Sequence, residues 1–228
     1  PRSTEDSGIM GRHVFWTVLG ISILAVIIGI LMPGQPREKA VNLPWQVETM
    51  ADGSTRVFGL VLGKSTLHDA QQIFQEEAEL SMFASDDGKR VVEGFFNQLT
   101  LSGLRARMVV AMDYSAQELE AIFNRGARIS TMGSGKRKVT LSGEDKIAAM
   151  HVPIASITYL PKTNLDGKLV EKRFGKPGDI VKESKTDVEH WLYPDLGLDI
   201  ALSDEQRDVL QYTLPSKFEN LVAPLKAQ

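Results

Sequence analysis

The stretch LPKTNL, residues 160–165, closely resembles LGKSTL, residues 62–67, which occurs earlier in the same chain. Each stretch begins and ends with leucine, and each has lysine at its third position. Each also places Ser, Thr or Asn, which are common N-cap residues, directly before a helical pattern. The segments HDAQQIF (68–74) and DGKLVEKRF (166–174) are accordingly predicted to be helices. The two stretches indicate that one structural unit occurs twice.

The residues that follow the two helices also match in order. The matching pairs are VEGFF (92–96) with VEHWL (188–192), GL (103–104) with GL (197–198), and MVVAMDYSAQELEAIF (108–123) with VLQYTLPSKFENLVA (209–223). The strand-like runs alternate apolar and polar residues, as half-buried antiparallel strands do, so we expect helices on one face of each sheet. The shared order of strand, helix, antiparallel strands and helix predicts a two-lobed α+β body.

The composition is that of a folded protein. The chain has 228 residues, of which 43% are apolar and 24% are charged. Its formal net charge of -3 gives no basic excess, which argues against nucleic acid as a partner. It contains no cysteine, and this excludes disulfides, thiolate chemistry and the common cysteine zinc sites.

Residues 14–32, VFWTVLGISILAVIIGILM, contain no charged residue over 19 positions. This is about the length that a helix needs to cross the hydrocarbon of a bilayer, so the segment is predicted to be a membrane span. Because 13 residues precede it and 196 follow it, we expect a short cytoplasmic tail and an exported C-terminal domain. Ala25 and Gly29 form a small-xxx-small pair and are predicted to contact another transmembrane helix.

Three motifs in the second unit resemble the BamE/SmpA family of small envelope lipoproteins. They are RFGKP (173–177), HWLYP (190–194) and GLDI (197–200). The resemblance covers about 70 residues of this unit and is weaker in the first unit. It implies a β-lactamase-inhibitor-type fold and a protein-binding role in the bacterial envelope. The family's lipid-bearing cysteine is missing here, and the predicted span would replace that anchor.

The predicted fold class is α+β, with a single N-terminal transmembrane helix followed by two tandem BamE/SmpA-like modules. Each module is expected to have helices on one face of an antiparallel sheet. The predicted segments are a cytoplasmic tail (1–13), the transmembrane helix (14–32), a linker (33–45), the first module (46–125), a connecting hairpin and helix (126–153) and the second module (154–228).

The sequence contains no recognisable catalytic arrangement. His68 and Asp69 are neighbours in a predicted helix and point in different directions, so they do not form a base and its orienting group. The run GSGKRK, residues 133–138, lacks the spacing of a phosphate-binding loop. The histidines show none of the spacings typical of metal sites; they are His13, His68, His151 and His190. We predict no enzymatic activity, no cofactor and no metal site.

Two kinds of surface are candidates for partner binding. The run GSGKRK is interpreted as a solvated hairpin tip, with contacts to acidic partners or lipid headgroups as the alternative. Phe95 and Phe96 must lie on opposite faces of a strand, as must Trp191 and Leu192. One residue of each pair faces away from its helices, where it either packs against the other lobe or binds a partner. The candidate partner-binding residues are Ala25, Gly29, Phe95, Phe96, Trp191, Tyr193, Lys136, Arg137 and Lys138.

These observations favour a non-enzymatic protein of the bacterial inner membrane, anchored by one helix, with its C-terminal domain in the periplasm. We expect it to bind or scaffold other envelope or inner-membrane proteins, as an accessory subunit of a membrane complex. The alternative is a periplasmic domain that binds a lipid, peptide or glycan in the cleft between the two modules.

Overall fold

The structure, a computed structural model, describes residues 41–133 and 135–226, together with Leu19, Ser22 and Val26. The chain divides into two compact units, Pro1–Lys39 and Ala40–Gln228. In the first unit the three described residues are helical. No helix among the described residues combines the length and the apolar character needed to cross a membrane. Apart from those three residues, the predicted span at 14–32 lies outside the described residues, as do Ala25 and Gly29.

The second unit is built mainly from β-strands. The strands are β1 (Glu48–Thr49), β2 (Thr55–Val57), β3 (Leu60–Val61), β4 (Glu79–Ala84), β5 (Arg90–Leu101), β6 (Leu104–Met112), β7 (Arg128–Thr131), β8 (Arg137–Thr140), β9 (Ile154–Pro161), β10 (Asp179–Lys182), β11 (Glu189–Tyr193), β12 (Leu198–Leu202) and β13 (Val209–Thr213). The helices are α1 (Leu67–Phe74), α2 (Ala116–Arg125), α3 (Gly143–Ala149), α4 (Gly167–Phe174) and α5 (Phe218–Lys226).

Ten of these strands form one antiparallel sheet, in the order β10-β11-β12-β13-β9-β6-β5-β4-β8-β7. Strands β1, β2 and β3 form a separate small sheet. The two halves of the large sheet meet at β9, which pairs with β13 on one side and with β6 on the other. This pairing satisfies the backbone groups of β6 that would otherwise lie at a sheet edge.

The fold class predicted from the sequence is wrong. The body is mostly β, and one sheet runs through both halves, so there are not two modules with a sheet each. The internal match also breaks down at the level of strands. Leu104 and Met108 lie in one strand, β6, whereas their counterparts Leu198 and Val209 lie in two, β12 and β13. Similar local sequences therefore enter different strand arrangements.

The helices begin where local hydrogen bonding favours them. Thr66 and Asp69 form a capping box at the start of α1, and Ser115 and Glu118 form another at the start of α2. Helix α4 ends at Phe174 and is followed by a glycine. The segments predicted to be helical at 68–74 and 166–174 thus correspond to α1 and α4.

The strand register sorts the side chains of the sheet onto two faces, because cross-strand partners point the same way. Phe96, Met108, Tyr159 and Leu210 are buried in a row across four strands, on what we call the helix face. Helix α1 packs there, with the ring centroid of Phe74 5.2 Å from that of Phe96. The main hydrophobic core lies between this face and its helices.

The other face is less covered. The row that defines this open face consists of Phe95, Val109, Thr158 and Gln211, all half-buried. Helix α5 covers one end of it, where Leu192 packs against Phe218 and Val222. The central strands leave apolar side chains half-exposed on this face.

Candidate functional site

A groove of about 560 Å³ lies on the helix face beside α4. Its lining includes Tyr159, Val170 and Leu210, which are almost fully buried. Both halves of the chain contribute: the start of β6 and the turn before it form one side, and β9, α4 and β13 provide other lining residues. The volume falls within the range of about 300–1,000 Å³ that is usual for small-molecule sites.

The stretch LPKTNL forms one wall of this groove as the chain passes from β9 into α4. The side-chain amide of Asn164 donates to the carbonyl oxygens of Ser203 and Gln206, at 3.2 and 2.9 Å. The backbone N–H of Leu165 donates to the carboxylate of Asp208, which is 1% exposed. A buried carboxylate that accepts backbone hydrogen bonds holds this wall in place.

A second wall comes from Pro44 and Trp45, which precede the small sheet. The hydroxyl of Tyr212 donates to the carbonyl oxygen of Pro44 at 2.9 Å. Burial raises the pKa of Tyr212 well above its ordinary value, so the hydroxyl stays protonated and keeps this donor role. The guanidinium of Arg173 lies 4.3 Å from the ring centroid of Trp45, a cation–π contact between this wall and α4.

The charged residues that line the groove are all basic. They are Arg105, Lys162 and Arg173, and no Asp or Glu among the described residues lines it. Within the described part of the chain none of the three forms an ion pair. An apolar groove with an unpaired positive rim suits a ligand that has an apolar body and an anionic end.

Sequence reasoning missed most of this site. Lys162 belongs to the repeated stretch, yet the spacing of that stretch says nothing about a groove. Trp45 follows Pro44 at the end of the predicted linker, and an aromatic residue in such a linker was the one available signal. Arg105 and Arg173 are 68 positions apart in the sequence, so only the fold brings them to one site.

The predicted aromatic residues lie on both faces of the sheet. Phe95 is half-exposed on the open face, whereas Phe96 is fully buried on the helix face. Trp191 is half-buried against the start of α4, where a Cβ added to Gly167 would lie 3.3 Å from its ring. Tyr193 is buried, and its hydroxyl donates to the carbonyl oxygen of Gly175 at 3.0 Å. Of the four, Phe95 and Trp191 are partly exposed, and Trp191 packs against the main core.

The predicted basic residues do not form one patch. Arg137 lies on the helix face, with its guanidinium 5.4 Å from the ring centroid of Phe123. Lys138 lies on the open face and donates to Glu79 at 2.7 Å, and this hydrogen bond lowers the pKa of Glu79. Lys136 is exposed at the hairpin tip. The strand alternation of β8 separates the charges that are adjacent in the sequence.

The structure also brings together a buried histidine and two carboxylates. Nδ1 of His190 lies 2.9 Å from Oδ2 of Asp199, and Nε2 lies 3.2 Å from Oε1 of Glu183. Burial disfavours the charged imidazole, but the hydrogen bonds and charge of Asp199, followed by those of Glu183, outweigh it and raise the pKa of His190. No group of metal-ligating residues occurs among the residues that the structure describes. The network joins β10, β11 and β12 and does not line the groove.

This network predicts a pH-dependent stability. A raised pKa in the folded state gives stability that is fully present below the unfolded histidine pKa of about 6.5 and is lost as the pH rises through the folded value. We expect the free energy of unfolding, measured with urea, to fall as the pH rises above about 6.5. The variant His190→Gln should lack this fall. The pKa of Glu183 is lowered, so that carboxyl titrates below this range. Equal slopes in the two proteins would contradict the assignment.

Neither a protein family, nor a curated protein sequence, nor a solved structure was found to match this chain. The resemblance of residues 173–200 to BamE/SmpA proteins stays a prediction that these comparisons do not test.

Proposed function

We propose that this protein is a non-enzymatic binding protein that takes an amphipathic ligand, with an apolar chain and an anionic end, into the groove beside α4. The observation that carries the proposal is an apolar floor with three cations that form no ion pair, and with no carboxylate in the lining from residues 41–133 and 135–226. The predicted cleft between two modules is not retained, because one sheet runs through both halves; ligand binding itself is the part of that prediction that we propose. Location in the bacterial envelope also remains part of the proposal.

The groove has the features of a site that binds a chain and a charge separately. Its buried aliphatic and aromatic lining favours removal of an acyl or alkyl chain from water, a gain of about 25 cal/mol per Å² of apolar surface. The cations stand at its margin, where an acid group can pair with them and stay partly hydrated. A neutral, fully apolar ligand would leave these charges unused.

The substitution Leu169→Asp tests the groove directly. Leu169 lines the groove and is 38% exposed, so its replacement should alter the site with little effect on folding. The new carboxylate removes apolar surface and repels the acid group of dodecanoate. We expect the affinity for dodecanoate to fall at least about tenfold, or 1.4 kcal/mol, by isothermal titration calorimetry on the full chain.

The matched control is Ile147→Asp. Ile147 lies on α3, is 69% exposed and does not line the groove, so the same type of change should leave the affinity within about twofold. If the unaltered protein binds neither dodecanoate nor dodecyl phosphate, the proposed function is overturned. Equal losses in the two variants would show that the groove is not the site.

Protein binding is the second candidate, and the open face is the observation that favours it. Phe83 and Val91 are cross-strand partners there, as are Phe95 and Val109, and all four are half-exposed. Half-exposed apolar side chains on a sheet face can contribute to an interaction site. The variant Phe95→Gln separates the two functions. It should leave dodecanoate binding unchanged. If the protein is a scaffold that uses the open face, the same variant should no longer co-purify with its membrane-protein partner in detergent. Retention of every partner would argue against this candidate.

A further inference from the structure

A second pocket, of about 530 Å³, meets the groove at the end of the sheet. Arg105 and Lys162 line both cavities. Arg107 and Arg207 line only the second one, which we call the cationic pocket. Its lining has four basic side chains and, within the part of the chain that the structure describes, no Asp or Glu.

The strand register explains why these cations gather. Arg105 and Arg107 are two positions apart on β6, so both point to the open face. Arg107 pairs across the sheet with Leu160, two positions before Lys162, and the N–H of Lys162 donates to the carbonyl oxygen of Arg105 at 3.0 Å. Arg207 lies just before β13, the next strand along. Three neighbouring chain segments thus place positive charge at one end of the open face.

A β-bulge completes the pocket. The register between β5 and β6 shifts between Phe96 and Leu99, where Asn97 and Gln98 together oppose one residue of β6, and both line the cationic pocket. Their backbone N–H groups donate to the carboxylate of Glu76 at 2.9 and 3.1 Å. That carboxylate is thereby occupied with the bulge and does not line the pocket. Bulges commonly redirect side chains beside functional sites.

The positive charges of this pocket are not paired with carboxylates of the described part of the protein. The whole chain has 26 basic and 29 acidic residues, and its other described lysines and arginines include seven that are paired with carboxylates. No side chain of the cationic pocket forms an ion pair with any residue from 41 to 226 that the structure describes. Like charges held close together in a folded protein repel one another, and an anion bound between them offsets this repulsion.

We infer that the anionic end of the groove ligand is a phosphate monoester and that the cationic pocket binds it. A phosphate monoester carries about −1.5 to −2 charges near pH 7, and its oxygens match the forked donors of arginine. A carboxylate carries one charge and would leave most of the four cations unpaired. Because Arg105 and Lys162 line both cavities, a chain in the groove and its phosphate in the cationic pocket can belong to one molecule. This inference rests on the proposed function.

The test compares dodecyl phosphate, dodecanoate and inorganic phosphate as ligands of the full chain in titration calorimetry. The double variant Arg107→Gln/Arg207→Gln alters only the cationic pocket. We expect it to weaken dodecyl phosphate binding at least about tenfold and dodecanoate binding less than about twofold. The variant Lys146→Gln/Lys185→Gln removes the same charge from exposed positions outside both cavities and should change neither affinity.

The outcomes separate the two proposals. If dodecyl phosphate binds equally well to the Arg107→Gln/Arg207→Gln variant, the phosphate assignment is wrong while the groove stands. If inorganic phosphate binds as tightly as dodecyl phosphate and Leu169→Asp has no effect on either, the cationic pocket is a site for free phosphate and the proposed function fails. Loss of dodecyl phosphate binding in both variants, with weak binding of inorganic phosphate, supports both.

Discussion

Replacing Gly197 by alanine is expected to destabilise the protein by about 3–5 kcal/mol, a large value for a single methyl group. Gly197 has φ of +63° and lies between a 3₁₀ turn and β12. An added Cβ would lie 2.1 Å from the carbonyl oxygen of Thr213 and 3.1 Å from the backbone nitrogen of Pro215. Both neighbours are backbone atoms that cannot move aside without disrupting the pairing of β12 with β13. Urea denaturation of the two proteins measures the difference.

Gly88→Ala is the matched control for this prediction. Gly88 also has a positive φ, of +85°, but an added Cβ would meet no atom within 4 Å. It should therefore cost only the left-handed backbone penalty of about 1–2 kcal/mol. The difference between the two variants measures the steric clash at Gly197. Similar losses in both would show that the close approach to Thr213 is relieved in solution.

Ile157→Ala should lower the free energy of unfolding by about 2–5 kcal/mol. Ile157 is fully buried on β9, and its cross-strand partners are Val110 in the first half and Tyr212 in the second. A cavity here weakens both halves because they share this strand. We expect amide hydrogen exchange to accelerate in β5 and in β12 together, with one cooperative transition in urea.

Ile129→Ala provides the comparison for that cavity. Ile129 lies on the edge strand β7 and is 49% exposed, so its truncation should change stability by about 0.5 kcal/mol or less. If Ile157→Ala accelerates exchange in β12 alone, the two halves open independently, as two separate modules would. That result would contradict the single cooperative sheet.

The prediction of local elements succeeded where the signal lies within a few residues. The N-cap residue types in 62–67 and 160–165 predict helices that are present, and Thr66 caps α1, but α4 is capped by Asp166 and not by Thr163 or Asn164. The capping box of Ser115 and Glu118 begins α2. The alternation of Phe95 and Phe96 predicts side chains on opposite faces, and the register places them so. These signals depend on hydrogen bonds between neighbouring residues and on the period of the backbone, which the sequence contains directly.

Such short-range signals could not predict the site, because its lining residues are distant from one another in the sequence. Trp45 contacts Arg173 although the two residues are far apart in the sequence. Arg105 and Lys162 line the same two cavities because β6 pairs with β9. The repeat of whole units predicted a cleft between two modules, whereas the groove lies on one face of one sheet. A basic residue in the sequence does not reveal whether a carboxylate will be near it, so an unpaired cluster of cations becomes visible only in the fold.

Residue type and short-range spacing were enough to predict the helical segments, the alternating strands and the absence of cysteine chemistry. The pairing of β9 with both β6 and β13, which merges two halves into one sheet, depends on the tertiary fold. Strand edges offer the same backbone N–H and C=O groups whatever their side chains, so many pairings are locally possible. The choice among them comes from the burial of distant side chains such as Met108, Ile157 and Tyr212 in one core. The same choice brings the cations of the groove and the cationic pocket together.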